Sequence, residues 1–225
     1  MPHTIAVLPV KSFDRAKQRL GVRVDAPQRA TLAAAMVGDV LDALREVPGL
    51  DGVLVVTAEP RAAAAARDTG AEVVGDPAQA GHSEAAQHGV DAALARGAGR
   101  VLLVPGDCPA LDPGEVGELL ARDAATTAAQ RAVIVSDRHG SGTNALLLTP
   151  PGAIAPSFGP GSLARHAGRA RGAGAAVRVA PLRSLELDVD TPGDLAALRD
   201  ALAEMPATAA PRTRALLAQL ASAAA

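Results

Sequence analysis

The sequence predicts an α/β fold in which helices flank a mixed, mostly parallel sheet. Short apolar runs of strand length alternate with helical stretches, and this alternation changes character after residue 105. Alternating elements of this kind are typical of βαβ units, whose parallel strands are covered on both faces. Because 225 residues that are 48% apolar support one sizeable core, we expect one domain over residues 1–205 and an Ala-rich C-terminal tail over 206–225.

The first half of the chain predicts four strands separated by three helices. Pro27 can open the first helix, because the N–H that proline lacks is not needed at the first helical position. The apolar runs predict the strands and the Ala-rich stretches predict the helices, in the order strand 4–10, helix 28–46, strand 53–57, helix 60–68, strand 71–74, helix 84–96 and strand 101–105.

The second half departs from strict alternation. Asp112-Pro113-Gly114-Glu115 has the spacing of an N-cap, a first-turn proline and a capping-box acid, which predicts a helix to about residue 122. Glycine and proline are frequent over 150–161, where we expect a loop. The other predicted elements are strands at 132–136, 144–148, 176–180 and 185–189, helices at 161–171 and from 192, and a helical or frayed tail.

Charge and composition exclude several classes of partner. The net charge of −2 provides no basic field for nucleic acid or a membrane surface, and the apolar runs are much shorter than a membrane span. The lone cysteine, Cys108, fits a reducing compartment. A strand that begins by Thr4 leaves no room for a signal peptide. We therefore expect a cytoplasmic protein, and the sequence leaves open whether it forms a homodimer.

Lysine is confined to one short segment. Of the 22 basic residues only Lys11 and Lys17 are lysine, and both follow the first predicted strand. An ammonium group meets phosphate as a compact point charge, so the pair suggests a polyphosphate site. The alternative is a pair of solvated surface lysines.

Acidic residues recur near the end of the predicted sheet. If 185–189 is a strand, Glu186, Asp188 and Asp190 share the face that points away from the core. Carboxylates this close repel unless a cation neutralises them, which favours metal binding over a solvated strand face. Asp194 is explained differently, because Thr191-Pro192-Gly193-Asp194 has the spacing of a helix cap.

A second acid lies where a buried strand ends. Asp107 follows the strand predicted at 101–105, and ligands of open α/β sheets bind at the carboxyl ends of strands. Asp107 can therefore accept Mg²⁺, although an aspartate in a turn needs no function. No base can be assigned to the neighbouring Cys108, which we interpret as a small loop residue and not a nucleophile.

Two glycine-rich segments could bind anions. Glycines at 140 and 142 and at 159 and 161 permit positive φ, so successive backbone N–H groups can form an anion-binding nest. Thr143 and Asn144 add donors to the first segment, and Ser162 lies near a helix start in the second. The alternatives are a plain hairpin turn and a simple N-cap. His166, one helical turn beyond Ser162, is equally compatible with packing and with ligand contact.

Together these motifs resemble one enzyme family. LPVKSFDRAKQRL, GDCPAL, DRHGSGTNALLL, FGPGSLARH and LDVDTPGDL span residues 8–195. Their order is similar to that of the guanylyltransferases of deazaflavin coenzyme F420 biosynthesis, which activate 2-phospho-L-lactate or phosphoenolpyruvate. That family resembles molybdopterin guanylyltransferases and A-type glycosyltransferases. The resemblance implies a single Rossmann-like nucleotidyltransferase domain.

The resemblance also implies a role for particular residues. It implies that Lys11, Lys17 and Arg19 bind the nucleotide, and that Thr143, Gly159 and Ser162 bind the phosphorylated acid. It implies that Asp107, Asp188 and Asp190 bind Mg²⁺ and are catalytic together with Lys17. One departure concerns base recognition: relatives commonly carry Gly-Leu-Asn where this chain has Gly81-His82-Ser83.

The expected reaction is transfer of GMP from GTP to the phosphate of a three-carbon acid, with release of pyrophosphate. The Arg- and Ala-rich composition is typical of actinobacterial proteins and favours phosphoenolpyruvate by analogy, with 2-phospho-L-lactate and 3-phosphoglycerate left open. Two alternatives remain at this point. One is an A-type glycosyltransferase or another sugar or cofactor nucleotidyltransferase, and the other is an inactive nucleotide-binding regulatory module.

Overall fold

The computed structural model describes residues 2–15, 17–21, 24–76 and 78–222. The strands are β1 (Thr4–Val10), β2 (Gly52–Thr57), β3 (Glu72–Gly75), β4 (Arg100–Leu103), β5 (Arg131–Ser136), β6 (Thr143–Thr149) and β7 (Ala176–Val179). They form a seven-stranded sheet in the order β3-β2-β1-β4-β6-β5-β7. Only β6 runs antiparallel to its neighbours among these strands, so the predicted mixed, mostly parallel sheet is confirmed.

Eight helices surround this sheet in the part of the chain that the structure describes. They are α1 (Ala26–Arg45), α2 (Pro60–Asp68), α3 (His82–Ala95), α4 (Pro113–Ala124), α5 (Ser162–Gly172), α6 (Arg183–Glu186), α7 (Pro192–Ala203) and α8 (Pro211–Ser222). The first begins where proline predicted it, with Asp25 as the N-cap and Gln28 completing a capping box. Within the described ranges, no helix is both long and apolar enough to cross a membrane.

The central strand β1 divides the core between the two faces of the sheet. Every one of its residues is buried, and successive side chains point to opposite faces. Ala6, Leu8 and Val10 pack with α1, α2 and α4, whereas Ile5 and Val7 pack with α3 and α5. Both faces of β1 are therefore covered, as its continuous apolar sequence predicts.

The C-terminal helices extend the core on the outer side of α1. Leu32 and Met36 of α1 pack in a third apolar cluster with residues of α7 and α8, among them Leu198 and Leu217. The buried carboxylate of Asp39 accepts a hydrogen bond from the Thr213 N–H at 2.7 Å. Residues 211–222 thus form a helix that packs on α1.

The prediction of a strand at 185–189 was wrong. The chain forms the short helix α6 and then an extended segment that pairs with no strand within the described residues. The alternation does report which side chains are inside, because Leu185 and Val189 are fully buried. Their backbone groups, however, make no strand ladder: the Asn144 side chain donates from Nδ2 to the Leu185 carbonyl at 2.8 Å, and Val189 N–H donates to the Asp107 carbonyl in the turn after β4 at 3.2 Å.

The helix start at Asp112 also differs in one detail from the prediction. Asp112 caps α4 by accepting hydrogen bonds from the Gly114 and Glu115 N–H groups. Glu115 does not return the bond as a capping-box acid. Its carboxylate accepts the Ser184 N–H at 3.1 Å and so ties the start of α6 to α4.

Candidate active site

A cavity of about 970 Å³ opens at the carboxyl ends of β1 and β4. Ligands of open α/β sheets bind at this edge. The loop after β1, the turn after β4, the start of α3 and the approach to α5 form its walls. The sequence-predicted site residues all line it, namely Lys11, Lys17, Arg19, Asp107, Thr143, Gly159, Ser162, Asp188 and Asp190.

Lys17 lies between two of the predicted metal ligands. Its ammonium group donates to Asp107 Oδ2 and, at 2.9 Å, to Asp190 Oδ1. Only 8% of its side chain is exposed. Burial by itself would lower the pKa of Lys17, but the two carboxylates outweigh burial and raise that pKa. The ammonium group therefore stays charged and neutralises the acids around it.

The backbone holds Lys17 in this place. Its φ of 53° and ψ of 36° lie in the left-handed region, which lysine rarely adopts. A 3₁₀ turn over Gln18–Leu20 follows, and Leu20, which is fully buried, donates its N–H to the Lys17 carbonyl at 2.9 Å. The buried leucine anchors the turn, and the turn directs the lysine into the cavity.

Asp188 joins Asp107 and Asp190 in the acidic group, although it does not lie in a strand. Asn144 Nδ2 donates to Asp188 Oδ1 at 3.2 Å, and the backbone bond between Val189 and Asp107 brings the two acidic segments together. Burial, and next the charge of Asp107, raises the pKa of Asp188. The ionised carboxylate is thus disfavoured unless a cation approaches it.

The donor set fits a hard divalent cation. Asp107, Asp188 and Asp190 offer carboxylate oxygens, which are the ligands that Mg²⁺ prefers. Over residues 2–15, 17–21, 24–76 and 78–222, however, no three His, Cys, Asp or Glu side chains are already arranged around a metal-sized space. The Lys17 ammonium occupies the position between Asp107 and Asp190, so a metal bound there would have to take its place.

A buried histidine determines how Thr143 can bond to a ligand. Ser157 N–H donates to His166 Nε2 at 2.8 Å, so this nitrogen is an acceptor and the ring proton lies on Nδ1. His166 Nδ1 lies 3.0 Å from Thr143 Oγ1 and must donate to it. Burial, followed by the charges of Arg169 and Arg165, lowers the pKa of His166 to about 4, so the ring is neutral. The Thr143 hydroxyl proton is consequently free to donate into the cavity.

This arrangement predicts a specific pH dependence of stability. The folded-state pKa of His166 is about 4 and its ordinary value is 6.5. The folded state disfavours the protonated ring, so the neutral ring contributes up to about 3 kcal/mol to the free energy of unfolding. This contribution is complete above pH 6.5 and is lost as the pH falls towards 4. Denaturant titrations across this window should show the loss. His166→Phe protein should be less stable overall but should lose less on acidification, and parallel curves for the two proteins would contradict the assignment.

The first glycine-rich turn does not form the predicted anion-binding nest. Asp137 Oδ1 accepts the Ser141 N–H at 2.9 Å, and the Gly140 N–H bonds to the Asp137 carbonyl. Asp137 therefore uses both donors, one through its carboxylate and one through its backbone carbonyl. A Cβ at position 142 would lie 2.6 Å from Asp137 Oδ2, so a larger residue there would displace the Asp137 side chain. The turn positions Thr143 at the start of β6.

The second glycine-rich turn forms another part of the cavity wall. Gly159 and Gly161 have φ values of 106° and 69°, which glycine adopts without strain. Gly161, not Ser162, is the N-cap of α5, and Ser162 is the first helical residue, almost fully buried against the cavity. Arg165, which the sequence analysis missed, donates to the Ser157, Phe158 and Gly159 carbonyls and holds this turn in place.

The residues that depart from the family pattern at 81–83 also have structural contacts. Ser83 Oγ accepts the Phe158 N–H at 2.9 Å, and the His82 ring packs edge-on against Phe158 with centroids 4.9 Å apart. They join the start of α3 to the turn before α5. Cys108 is fully buried, and burial together with the nearby acids raises the pKa of its thiol, so it remains protonated and is not a nucleophile.

The model of the family described as "Guanylyl transferase CofC like" matches residues 4–199 of this chain. The chain belongs to this family. A protein of Conexibacter woesei named phosphoenolpyruvate guanylyltransferase is 49% identical over 217 residues, which cover 96% of each chain. The resemblance that the motifs predicted is therefore confirmed, and the CofC-like chain is a guanylyl transferase.

Solved structures confirm the fold of this CofC-like protein. A Desulfovibrio desulfuricans protein assigned to the nucleotide-diphospho-sugar transferases superposes with a TM-score of 0.74 at 18% identity and covers 98% of this chain and 99% of its own. A Methanothermobacter nucleotidyl transferase gives a TM-score of 0.62 at 18% identity, covering 90% and 99%. At these identities the likeness concerns the fold, which is that of the nucleotidyltransferases.

Proposed function

We propose that this protein transfers GMP from GTP to the phosphate of phosphoenolpyruvate and releases pyrophosphate, as a cytoplasmic step of coenzyme F420 biosynthesis. One observation carries the proposal. A single cavity is lined by three carboxylates, a buried lysine, Thr143 and Ser162. The name of the Conexibacter relative supports phosphoenolpyruvate as the acceptor.

The chemistry requires positioning and charge neutralisation. A phosphate oxygen of the acid attacks the α-phosphorus of GTP, a new P–O bond forms, and the bond to the β-phosphate oxygen breaks so that pyrophosphate leaves. Because the attacking phosphate is already anionic, no side chain has to act as a strong base. This agrees with a cavity lined by acids, lysines, arginines and His82, whose pKa is lowered by burial.

The acidic wall would hold the metal. Asp107, Asp188 and Asp190 would bind Mg²⁺, which supplies positive charge to the phosphates of both substrates. Lys17 already contacts two of these acids. When those acids have another cation to neutralise them, Lys17 becomes available to the departing pyrophosphate together with Lys11 and Arg19, which line the same cavity.

Thr143 and the second glycine-rich turn would bind the phosphorylated acid. Thr143 donates its hydroxyl proton because His166 donates to its oxygen. We expect Thr143→Val to raise the KM for phosphoenolpyruvate by about tenfold or more, since a hydrogen bond to a charged group contributes about 1.5–3 kcal/mol. The KM for GTP should change little, and Thr143→Ser should recover most of the loss. Steady-state kinetics with each substrate varied in turn measures both constants.

A matched control is available for this prediction. Thr127 is exposed between α4 and β5, so Thr127→Val removes the same hydroxyl from a surface remote from the site. It should leave both KM values as in the wild type. A Thr143→Val protein whose KM for GTP rises as much as that for the acid would contradict the assignment of Thr143 to the acceptor.

The function itself is tested by a panel of substrates. The protein is incubated with Mg²⁺, one of GTP, ATP, CTP or UTP, and one of phosphoenolpyruvate, 2-phospho-L-lactate or 3-phosphoglycerate, and pyrophosphate is measured. The proposal predicts release that requires GTP and phosphoenolpyruvate together. Sugar transfer from a nucleotide sugar would support a glycosyltransferase, and tight GTP binding without pyrophosphate release would support a regulatory module.

A further inference from the structure

A second cavity adjoins the candidate active site. Its volume is about 1170 Å³, and it shares Val10, Lys11 and Ser12 with the first cavity, so the loop after β1 separates the two. The start of α1, the start of α2 and the turn after β3 form its other walls. None of the site residues predicted from the sequence lies here except Lys11.

The order of the strands shows that a bound nucleotide could extend from one cavity into the other. β3, β2, β1 and β4 are neighbouring parallel strands, so their carboxyl ends lie at one edge of the sheet. The ends of β3 and β4 are three strand spacings apart, about 14 Å. A nucleotide whose α-phosphate lies near Asp107, beyond β4, can therefore pass the Lys11 loop and place its base near the end of β3.

Three carboxylates line this second cavity, and they differ in what they are free to accept. Glu59 uses both oxygens, because Oε2 accepts the Phe13 N–H at 3.0 Å and Oε1 accepts the Arg61 N–H at 3.2 Å. Asp14 is exposed on the loop after β1. Glu59 is thus a structural residue, whereas Asp14 is exposed to solvent.

The carboxylate of Asp76 is fixed in orientation and can still accept hydrogen bonds from a ligand. It follows β3 directly and is only 9% exposed. Its Oδ1 accepts the Gln79 N–H at 3.2 Å, which orients the side chain, whereas the described part of the chain provides no donor to Oδ2. A buried, oriented carboxylate whose Oδ2 is unengaged, and whose Oδ1 keeps a second lone pair, can accept two hydrogen bonds from a ligand.

We infer that Asp76 recognises the guanine base, with its carboxylate accepting hydrogen bonds from the ring N1–H and the 2-amino group. This inference rests on the proposed use of GTP and names the residue that selects it. Adenine presents a lone pair at N1 where guanine presents a proton, so adenine would face the carboxylate with like polarity. Hypoxanthine lacks the 2-amino group, and xanthine carries a carbonyl oxygen in its place.

The donor and acceptor pattern provides a test in which one variant gains a ligand. An amide in place of the carboxylate can donate to the 2-carbonyl oxygen of xanthine and still accept from N1–H. The dissociation constants of GTP, ITP and XTP in Mg²⁺ are measured by calorimetry on wild-type and Asp76→Asn protein. Wild-type protein should bind GTP tightest, ITP about tenfold weaker or more, and XTP weakest.

The Asp76→Asn protein should reverse this order. Its ratio of GTP to XTP affinity should fall by about 100-fold or more, because one bond is lost to guanine and one is gained by xanthine. Asp14→Asn removes the same charge from the same cavity and should leave the ratio unchanged. The Asn amide oxygen can keep the bond to the Gln79 N–H, and an unchanged melting temperature would verify that the turn survives.

Two results would distinguish the failure of this inference from that of the proposed reaction. Equal weakening of all three nucleotides by Asp76→Asn, or an equal change of the ratio in Asp14→Asn, would overturn the role of Asp76. Wild-type protein that binds GTP selectively but releases no pyrophosphate with any of the phosphorylated acids would overturn the reaction only, since base recognition is measured by binding.

Discussion

The Asp188→Asn protein should fold normally and lose activity by about 100-fold or more in kcat. Asparagine has nearly the same shape and keeps an oxygen that can accept from Asn144. Because burial and the charge of Asp107 raise the pKa of Asp188, the charged carboxylate destabilises the folded state. The neutral amide should therefore leave the melting temperature unchanged or higher while removing a charge that the proposed metal site needs.

Glu186 provides the matched control for this prediction. It lies two residues before Asp188 and does not line the cavity, although the alternating pattern placed it on the same face. Glu186→Gln should retain wild-type pyrophosphate release. Wild-type activity in Asp188→Asn, or equal losses in the two variants, would contradict the assignment of the acidic group.

The Asp123→Ala protein should be less stable by about 3–5 kcal/mol, because the change leaves a buried charge without its partner. Asp123 and Arg100 are each 1% exposed, and Arg100 Nη1 lies 3.3 Å from Asp123 Oδ2. Arg131 donates to both carboxylate oxygens at 2.9 and 3.0 Å, and Thr149 Oγ1 donates at 3.0 Å. Burial would raise the pKa of Asp123, but these donors, chiefly Arg131, outweigh it and lower the pKa.

An exposed ion pair on the same helix gives the comparison. Glu118 and Arg122 of α4 lie 2.9 Å apart with about 70% of each side chain exposed, and Glu118→Ala should cost less than about 1 kcal/mol. Guanidinium unfolding curves of both variants measure the difference. A loss in Asp123→Ala as small as that in Glu118→Ala would show that Arg100 finds water or another acceptor.

Much of the fold follows from patterns that are local in the sequence. The apolar run of β1 and the proline near the start of α1 predict their elements because propensity and burial act over a few residues. The prediction of a strand at 185–189 was wrong because it, too, used only local information. Its alternation correctly reports burial of Leu185 and Val189, but a sheet partner is a long-range property that one segment does not contain.

The predictions for the site residues also divide into local features, which the sequence contains, and long-range contacts, which it does not. Residue type and position could be predicted from the sequence, and the predicted acids, lysines and Thr143 all line one cavity. The contacts between distant segments were not predictable: Lys17 bonding to Asp107 across 90 positions, Arg165 holding the turn at 157–160, and Asp137 closing its own glycine-rich turn. These depend on side-chain geometry that the fold creates.

The central claim is that the α-phosphate of GTP is transferred to the phosphate of phosphoenolpyruvate. Incubation with GTP labelled at the α-phosphate, and separately at the γ-phosphate, tests it directly when the products are separated by chromatography. Guanylyl transfer predicts that the α-label appears in a product joined to phosphoenolpyruvate and that the γ-label appears in pyrophosphate. Appearance of the γ-label on the acid or in free phosphate would contradict guanylyl transfer.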